Sequence, residues 1–96
     1  MSASPAPLVS VAMRTFEHRP FVAQAIESVL IQDAPFDFEL VIGEDCSSDG
    51  TREIVERYAE RHPERVRAVL PGENVGHGEI LRRVLDATRG RFVAYL

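Results

Sequence analysis

Two adjacent carboxylates, Glu44 and Asp45, follow directly on the apolar run Phe38-Glu39-Leu40-Val41-Ile42-Gly43. A carboxylate at the tip of a strand can accept hydrogen bonds from a ribose or a base edge, which is how dinucleotide-binding folds use this position. The same pair can instead cap a turn and the helix behind it, because negative charge is favoured at a helix N-terminus. Spacing alone leaves both uses open. Arg14-Thr15-Phe16 follows another apolar run, Leu8 to Met13. Phe16 could stack on a nucleobase, a contact worth about 1–3 kcal/mol per base, or could plug the end of a sheet. Asn74-Val75-Gly76-His77-Gly78 precedes an amphipathic stretch. Its glycines permit a close backbone approach to a phosphate, and a helix start favours an anion. Arg82 and Arg83 lie one turn further on, either within reach of a diphosphate or on a solvated face. His77 reads as a solvated loop residue. Cys46 reads as a small turn residue with no general base beside it.

These residues can act together only if the elements between them bring them to one edge. Leu8 to Met13 has the length and β-branched content of a buried strand. Val22, Ala25, Ile26, Val29 and Leu30 then form one apolar helical stripe, with Pro20 suited to the first turn. Asp33-Ala34-Pro35 breaks that helix. After the second strand at Phe38–Gly43, Ser48 or Asp49 can cap a helix whose inner face is Ile54, Val55, Tyr58 and Ala59. Arg67 to Leu70 is a third strand. A third helix presents Leu81, Val84, Leu85 and Thr88, and Arg91 to Leu96 begins a fourth strand. The order β-α-β-α-β-α-β predicts an α/β fold, an open parallel sheet of about four strands with helices on both faces. In such a sheet ligands bind beyond the carboxyl ends of the strands, where Thr15, Phe16, Glu44, Asp45 and Asn74 all fall.

Composition narrows the function classes. The chain has 96 residues, 45% apolar and 27% charged, as expected of one ordinary globular unit. A net charge of −4 gives no basic surface for nucleic acid. One cysteine and three scattered histidines exclude an internal disulfide and a cysteine-based zinc site, and fit a reducing, cytoplasmic setting. Residues 1–7 are small and polar with two prolines, and read as a tail rather than a signal peptide. Residues 8–96 make up the domain. It stops inside an apolar strand, so the chain reads as truncated, with strand 91–96 open to self-association.

Three blocks resemble family 2 glycosyltransferases. Val9-Ser10-Val11-Ala12-Met13-Arg14-Thr15-Phe16 is similar to their opening strand, V-S-V-I-x-P-T-Y. Phe38 through Thr51, containing Gly43-Glu44-Asp45-Cys46-Ser47-Ser48-Asp49-Gly50-Thr51, resembles E-x-I-V-V-D-D-x-S-x-D-G-T. Asn74-Val75-Gly76 and Gly90-Arg91-Phe92-Val93-Ala94-Tyr95-Leu96 resemble N-x-G and G-x-Y-I-x-x-L. The resemblance implies the nucleotide-binding half of a GT-A fold, with Thr15 and Phe16 along the nucleobase, Asp45 on the base or ribose, and Glu44 as the acid beside it. It adds Asn74, and Arg82 as a diphosphate contact. Arg14 departs from the usual Pro, and Leu81 stands where many members have an Arg.

The implied reaction is inverting transfer of a sugar from a UDP- or dTDP-sugar to an acceptor hydroxyl, in glycan, polysaccharide or cell-envelope biosynthesis. The family's Asp-x-Asp motif for Mn²⁺ or Mg²⁺, and its catalytic base, are expected beyond Leu96. The fragment is therefore expected to hold no metal and no catalytic residue, and the parent could be membrane-associated. Two rivals are weaker. A dinucleotide-binding oxidoreductase needs G-x-G-x-x-G after the first strand, where this chain reads Arg14-Thr15-Phe16-Glu17-His18-Arg19. A receiver-like signalling module needs a helper Lys, and all eleven basic residues are Arg. A protein that binds nucleotide without turnover is a third alternative.

Overall fold

Two seven-residue strands, β1 (Val9–Thr15) and β2 (Phe38–Glu44), run parallel at the centre of the molecule. Every residue of β2 is buried, as befits a strand covered on both faces. The computed structural model describes residues 6–96. Around the central pair lie α1 (Arg19–Leu30), α2 (Thr51–Arg61), β3 (Val66–Val69), α3 (His77–Ala87) and β4 (Phe92–Tyr95). The sheet order is β3-β2-β1-β4, and all pairs are parallel. The chain thus builds from β1 outward to β3, then crosses to lay β4 on the other side of β1. That reversal is the topological switch point at which open α/β sheets take their ligands. Most of the expected tail, residues 1–5, lies outside the described residues, and Pro7 is already buried.

Strand alternation sorts the side chains into two layers. Met13, Phe38, Leu40 and Ile42 pack with Val22, Ile26 and Val29 of α1 and Val55 of α2. Ala12 and Val41 face the other way, onto Val84 of α3. The third helix turns a slightly different face inward than its pattern suggests. Ile80 and Val84 are its buried residues, Leu81 and Leu85 are half-buried, and Thr88 has left the helix as its C-cap.

The reason lies in Gly43. A Cβ there would stand 2.5 Å from Val84 Cγ2 and 2.8 Å from Ile80 Cγ1, so the bare glycine backbone is the floor on which α3 rests. Gly43→Ala should destabilise the chain by about 1–3 kcal/mol through overpacking. Chemical denaturation checks this, and pairing the change with Val84→Ala should recover part of the loss.

Glu39 is the one carboxylate buried at the amino ends of the strands, on the α3 face of β2. It is 1% exposed. Its Oε2 accepts from Ser10 Oγ at 2.6 Å and from the Arg89 backbone N–H at 2.7 Å, and its Oε1 accepts from Arg67 and Arg89 at 3.1 Å each. Ser10 Oγ in turn accepts the Gly90 N–H at 2.8 Å. One carboxylate thereby ties β1, β2 and β3 to the turn that feeds β4. Burial opposes its charge, but the hydrogen bonds from Ser10 and Arg89 and the nearby Arg67 outweigh burial and hold its carboxyl below the usual range.

Beyond β1, the strand β4 forms the sheet edge. Phe92, Tyr95 and Leu96 are 57%, 68% and 61% exposed there, an apolar border with a row of unpaired backbone groups. Among the described residues, no helix is long and apolar enough to cross a membrane.

Candidate functional site

Three loops converge at the carboxyl ends of the strands, and polar contacts lace them together. The β1–α1 and β2–α2 loops each contain a non-glycine residue in the left-handed region, Glu17 at φ 55° and Cys46 at φ 63°. Such residues cost about 1–3 kcal/mol each unless their surroundings fix them. Here the two loops fix each other. The Glu17 N–H donates to Ser47 Oγ at 2.8 Å, and the Ser48 N–H and hydroxyl both donate to Glu17 Oε1 at 2.9 Å. The Arg19 N–H donates to Asp49 Oδ2 at 3.2 Å, and the His18 N–H to Thr51 Oγ1 at 3.0 Å. Asp49 therefore satisfies the start of α1 as well as of α2, whose own N-cap is Gly50. Bonds from the Thr51 hydroxyl and N–H hold its carboxyl below the ordinary range.

Adjacency in sequence does not give Glu44 and Asp45 the same job. The period of two sends them to opposite faces of β2. Glu44 points to the α2 side and is fully buried. Its carboxylate accepts the N–H groups of Cys46 at 3.1 Å and Ser47 at 3.0 Å, with Arg52 4.0 Å away. Glu44 shapes the turn and is not in the lining of the cavity that Thr15, Phe16 and Asp45 share.

Asp45 points to the α3 side. Its Oδ1 accepts the Val75 N–H at 2.7 Å and its Oδ2 the Gly76 N–H at 3.0 Å. Its carbonyl accepts from Asn74 Nδ2 at 3.0 Å. Asn74 thus anchors the loop to Asp45 rather than lining the cavity. A carboxylate offers about four lone-pair sites, so each oxygen of Asp45 keeps capacity for a ligand.

Asp45, Thr15 and Phe16 meet in one cavity of about 260 Å³, whose wall is completed by Arg14, His18, His77 and Ile80. Thr15 Oγ1 and His18 Nδ1 share a hydrogen at 2.9 Å, which turns the imidazole into the cavity wall. Phe16 is 45% exposed, so its ring is free to be covered. Arg14 donates to the His77 carbonyl at 3.4 Å.

Arg82 lies elsewhere. It bonds Glu79 at 2.7 Å and Asp86 at 3.0 Å on the exposed side of α3, and Arg83 bonds the same Glu79 at 2.8 Å. These two guanidinium groups, Arg82 first, pull the Glu79 carboxyl down to about 2. Arg82 is thus committed to a surface network, and the helix does not turn it to the cavity.

Of the cavity residues, His18 carried no reading from the sequence, Arg14 stood out only as a departure from the usual Pro, and His77, read as a solvated loop residue, lines the cavity instead. The signals for them were slight: Arg14 stands one residue before Thr15 on the α3 side of the strand, and His18 follows Thr15 by three. Among the described residues, no group of three His, Cys, Asp or Glu could hold a metal ion.

The chain spans about a third or less of the length of the relatives it resembles. TuaG of Bacillus subtilis, named as a teichuronic acid biosynthesis glycosyltransferase, is 39% identical over 90 residues, which is 94% of this chain and 35% of that protein. The poly(ribitol-phosphate) beta-N-acetylglucosaminyltransferase TarS of Staphylococcus aureus is 31% identical over 88 residues, 91% of this chain and 15% of that one. Among solved structures, the mannosyltransferase PcManGT of Pyrobaculum calidifontis, in complex with GDP-Man and Mn²⁺, superposes with a TM-score of 0.79 at 30% identity. That match covers 94% of this chain and 27% of the other. S. aureus TarS in complex with UDP-GlcNAc gives 0.78 at 29% identity, over 92% of this chain and 25% of the other. Both are GT-A glycosyltransferases, and the parallel sheet and three helices found here match the N-terminal half of that fold. The family model for glycosyl transferase family 2 matches residues 10–96, every element from β1 to β4, and the chain belongs to that family.

Proposed function

We propose that residues 8–96 form the donor-nucleotide pocket of a longer, inverting glycosyltransferase, which moves a sugar from a UDP- or dTDP-sugar to an acceptor hydroxyl in glycan, polysaccharide or cell-envelope biosynthesis. The observation that carries this reading is the convergence of Thr15, Phe16 and Asp45 on one cavity at the carboxyl ends of β1 and β2. Phe16 offers a ring face to a base. Asp45 offers carboxylate lone pairs to a base N–H or a ribose hydroxyl, while its bonds to Val75 and Gly76 keep the third loop closed against the pocket. The Thr15 hydroxyl, shared with His18, is a second polar handle. The relatives holding UDP-GlcNAc and GDP-Man support a nucleotide-sugar donor.

A divalent metal, Mn²⁺ or Mg²⁺, belongs to the proposal only for the longer protein. Its ligands and the general base would come from the rest of the longer protein, as the resemblance to the family implies. That remainder would also pack on the exposed apolar edge at β4; without it, the edge is open to a second copy of this chain. A cytoplasmic setting is part of the same reading.

Phe16→Ala tests the pocket with little risk to the fold, since the ring is half-exposed. Affinity for UDP should fall roughly tenfold, while the melting temperature stays close to that of the parent chain. Unchanged affinity, measured calorimetrically, would remove Phe16 from the base platform. The isolated chain should bind nucleotide and transfer no sugar; transfer of radiolabelled sugar by the purified chain would contradict the second half of that statement.

A further inference from the structure

We propose that Arg14 is the side chain that meets the phosphates of the donor nucleotide, an assignment that rests on the nucleotide reading above. Charge accounting leads to it first. Among the seven residues around the cavity, Arg14 carries the one permanent positive charge. Of the other arginines near the carboxyl edge, Arg19 has no side-chain partner among the described residues but lies against Gly50, outside the cavity lining, and the rest are engaged. Arg82 and Arg83 are paired with Glu79 and Asp86. Arg52 donates to the carbonyls of Pro71 and Leu70 at 2.9 and 3.3 Å and lies against Glu44. Arg14 has no carboxylate within ion-pair distance among the described residues. Its single hydrogen bond, to the His77 carbonyl at 3.4 Å, is longer than a well-formed N–H···O bond. A guanidinium has five N–H donors, and most of those on Arg14 are free for a ligand.

Position gives the second reason. Arg14 and His18 also wall a neighbouring cavity of about 330 Å³, whose other lining residues, Met13, Phe21, Val22, Ala25 and Leu96, are apolar and give a phosphate no partner, so Arg14 is where a charged group can be held. A nucleoside diphosphate is longer than a base pocket and has opposite needs at its two ends. The Asp45 carboxylate suits a base or ribose donor and repels a phosphate. Arg14, at the boundary between the cavities, does the reverse. The two charges orient the ligand, with the base toward Asp45 and the phosphates held at the Arg14 guanidinium. The guanidinium fork suits a phosphate bidentately in a way that an ammonium cannot.

The test compares uridine with uridine diphosphate, titrated calorimetrically at low salt with EDTA present, against the chain and its R14Q and R14K variants. The parent chain should bind the diphosphate roughly tenfold more tightly than the nucleoside, as a charge-assisted contact implies. R14Q should bind uridine as the parent does and lose that preference, and R14K should retain part of it. An R14Q chain that keeps the preference overturns the proposal. So does one that loses uridine in equal measure, because Arg14 would then serve the base or the loop. If the parent chain binds neither ligand, the nucleotide reading itself fails, and the Arg14 assignment fails with it.

Discussion

Replacing Glu39 with alanine should destabilise the chain by about 3 kcal/mol or more, the cost of removing one partner from a buried charged network. Domains of this size have only about 5–15 kcal/mol in all, so the variant should be partly unfolded at moderate temperature. The loss is not simply an ion pair. Arg67 and Arg89 are 33% and 49% exposed at the side chain, where water screens their attraction. The larger share lies in the bonds from the buried Ser10 hydroxyl and the Arg89 N–H, which would lose their acceptor. The same network predicts a pH dependence. The Glu39 carboxyl is held below its ordinary value of 4.5 in the folded chain. Its contribution is therefore complete above that ordinary value and is lost as pH falls through the lower folded value. Melting temperatures of the parent chain should drop on acidification below about pH 4.5. The gap between parent and Glu39→Gln should narrow over the same range. Asp49 and Glu79 also titrate low, so the gap, not the parent curve alone, isolates Glu39.

The second large effect is expected at Asp45. Asp45→Ala removes the acceptor for the Val75 and Gly76 amides and the proposed acceptor for the base or ribose in one step. Each hydrogen bond to a charged group is worth about 1.5–3 kcal/mol, so nucleotide affinity should fall by roughly ten- to a hundredfold. Hydrogen exchange at Val75 and Gly76 should quicken, while amides of β2 remain protected. Glu44→Gln makes the contrast. It disturbs the turn at Cys46 and Ser47 and should cost stability, with nucleotide affinity per folded molecule nearly unchanged. Equal losses of affinity at the two acids would contradict their assignment to opposite faces.

The element order was legible because each strand and helix carries its own period. The period of 3.6 in Val22, Ile26 and Val29 and the unbroken apolar run of β2 leave little choice. Long-range pairing was less so. Nothing local says that β4 joins β1 rather than β3, nor that Glu39 finds its partner in Arg89, fifty residues on. Glu39 inside an apolar run was the available signal that a partner exists, and the reading of that run as a strand passed over it.

In the site, two signals lay in the sequence but pointed elsewhere. Strand alternation separates Glu44 from Asp45, although adjacency suggests a pair. Glu79, Arg82, Arg83 and Asp86 stand at helical spacings of three and four, which commits both arginines to the surface. Thr15, Phe16 and Asp45 do reach one cavity, because all three end strands at the same edge. Arg14 and His77 meet across 63 residues, a contact set by the packing of α3 on Gly43 and invisible to any motif.

Amide chemical-shift mapping of the labelled chain during titration with UDP bears most directly on the central claim, that the carboxyl edge of β1 and β2 is a nucleotide pocket. Saturable shifts should appear at Thr15, Phe16, Asp45 and Val75 to His77, with Glu39, Arg67 and Arg89 at the opposite end of the sheet unmoved. Shifts confined to that opposite end, or none at any concentration, would contradict it.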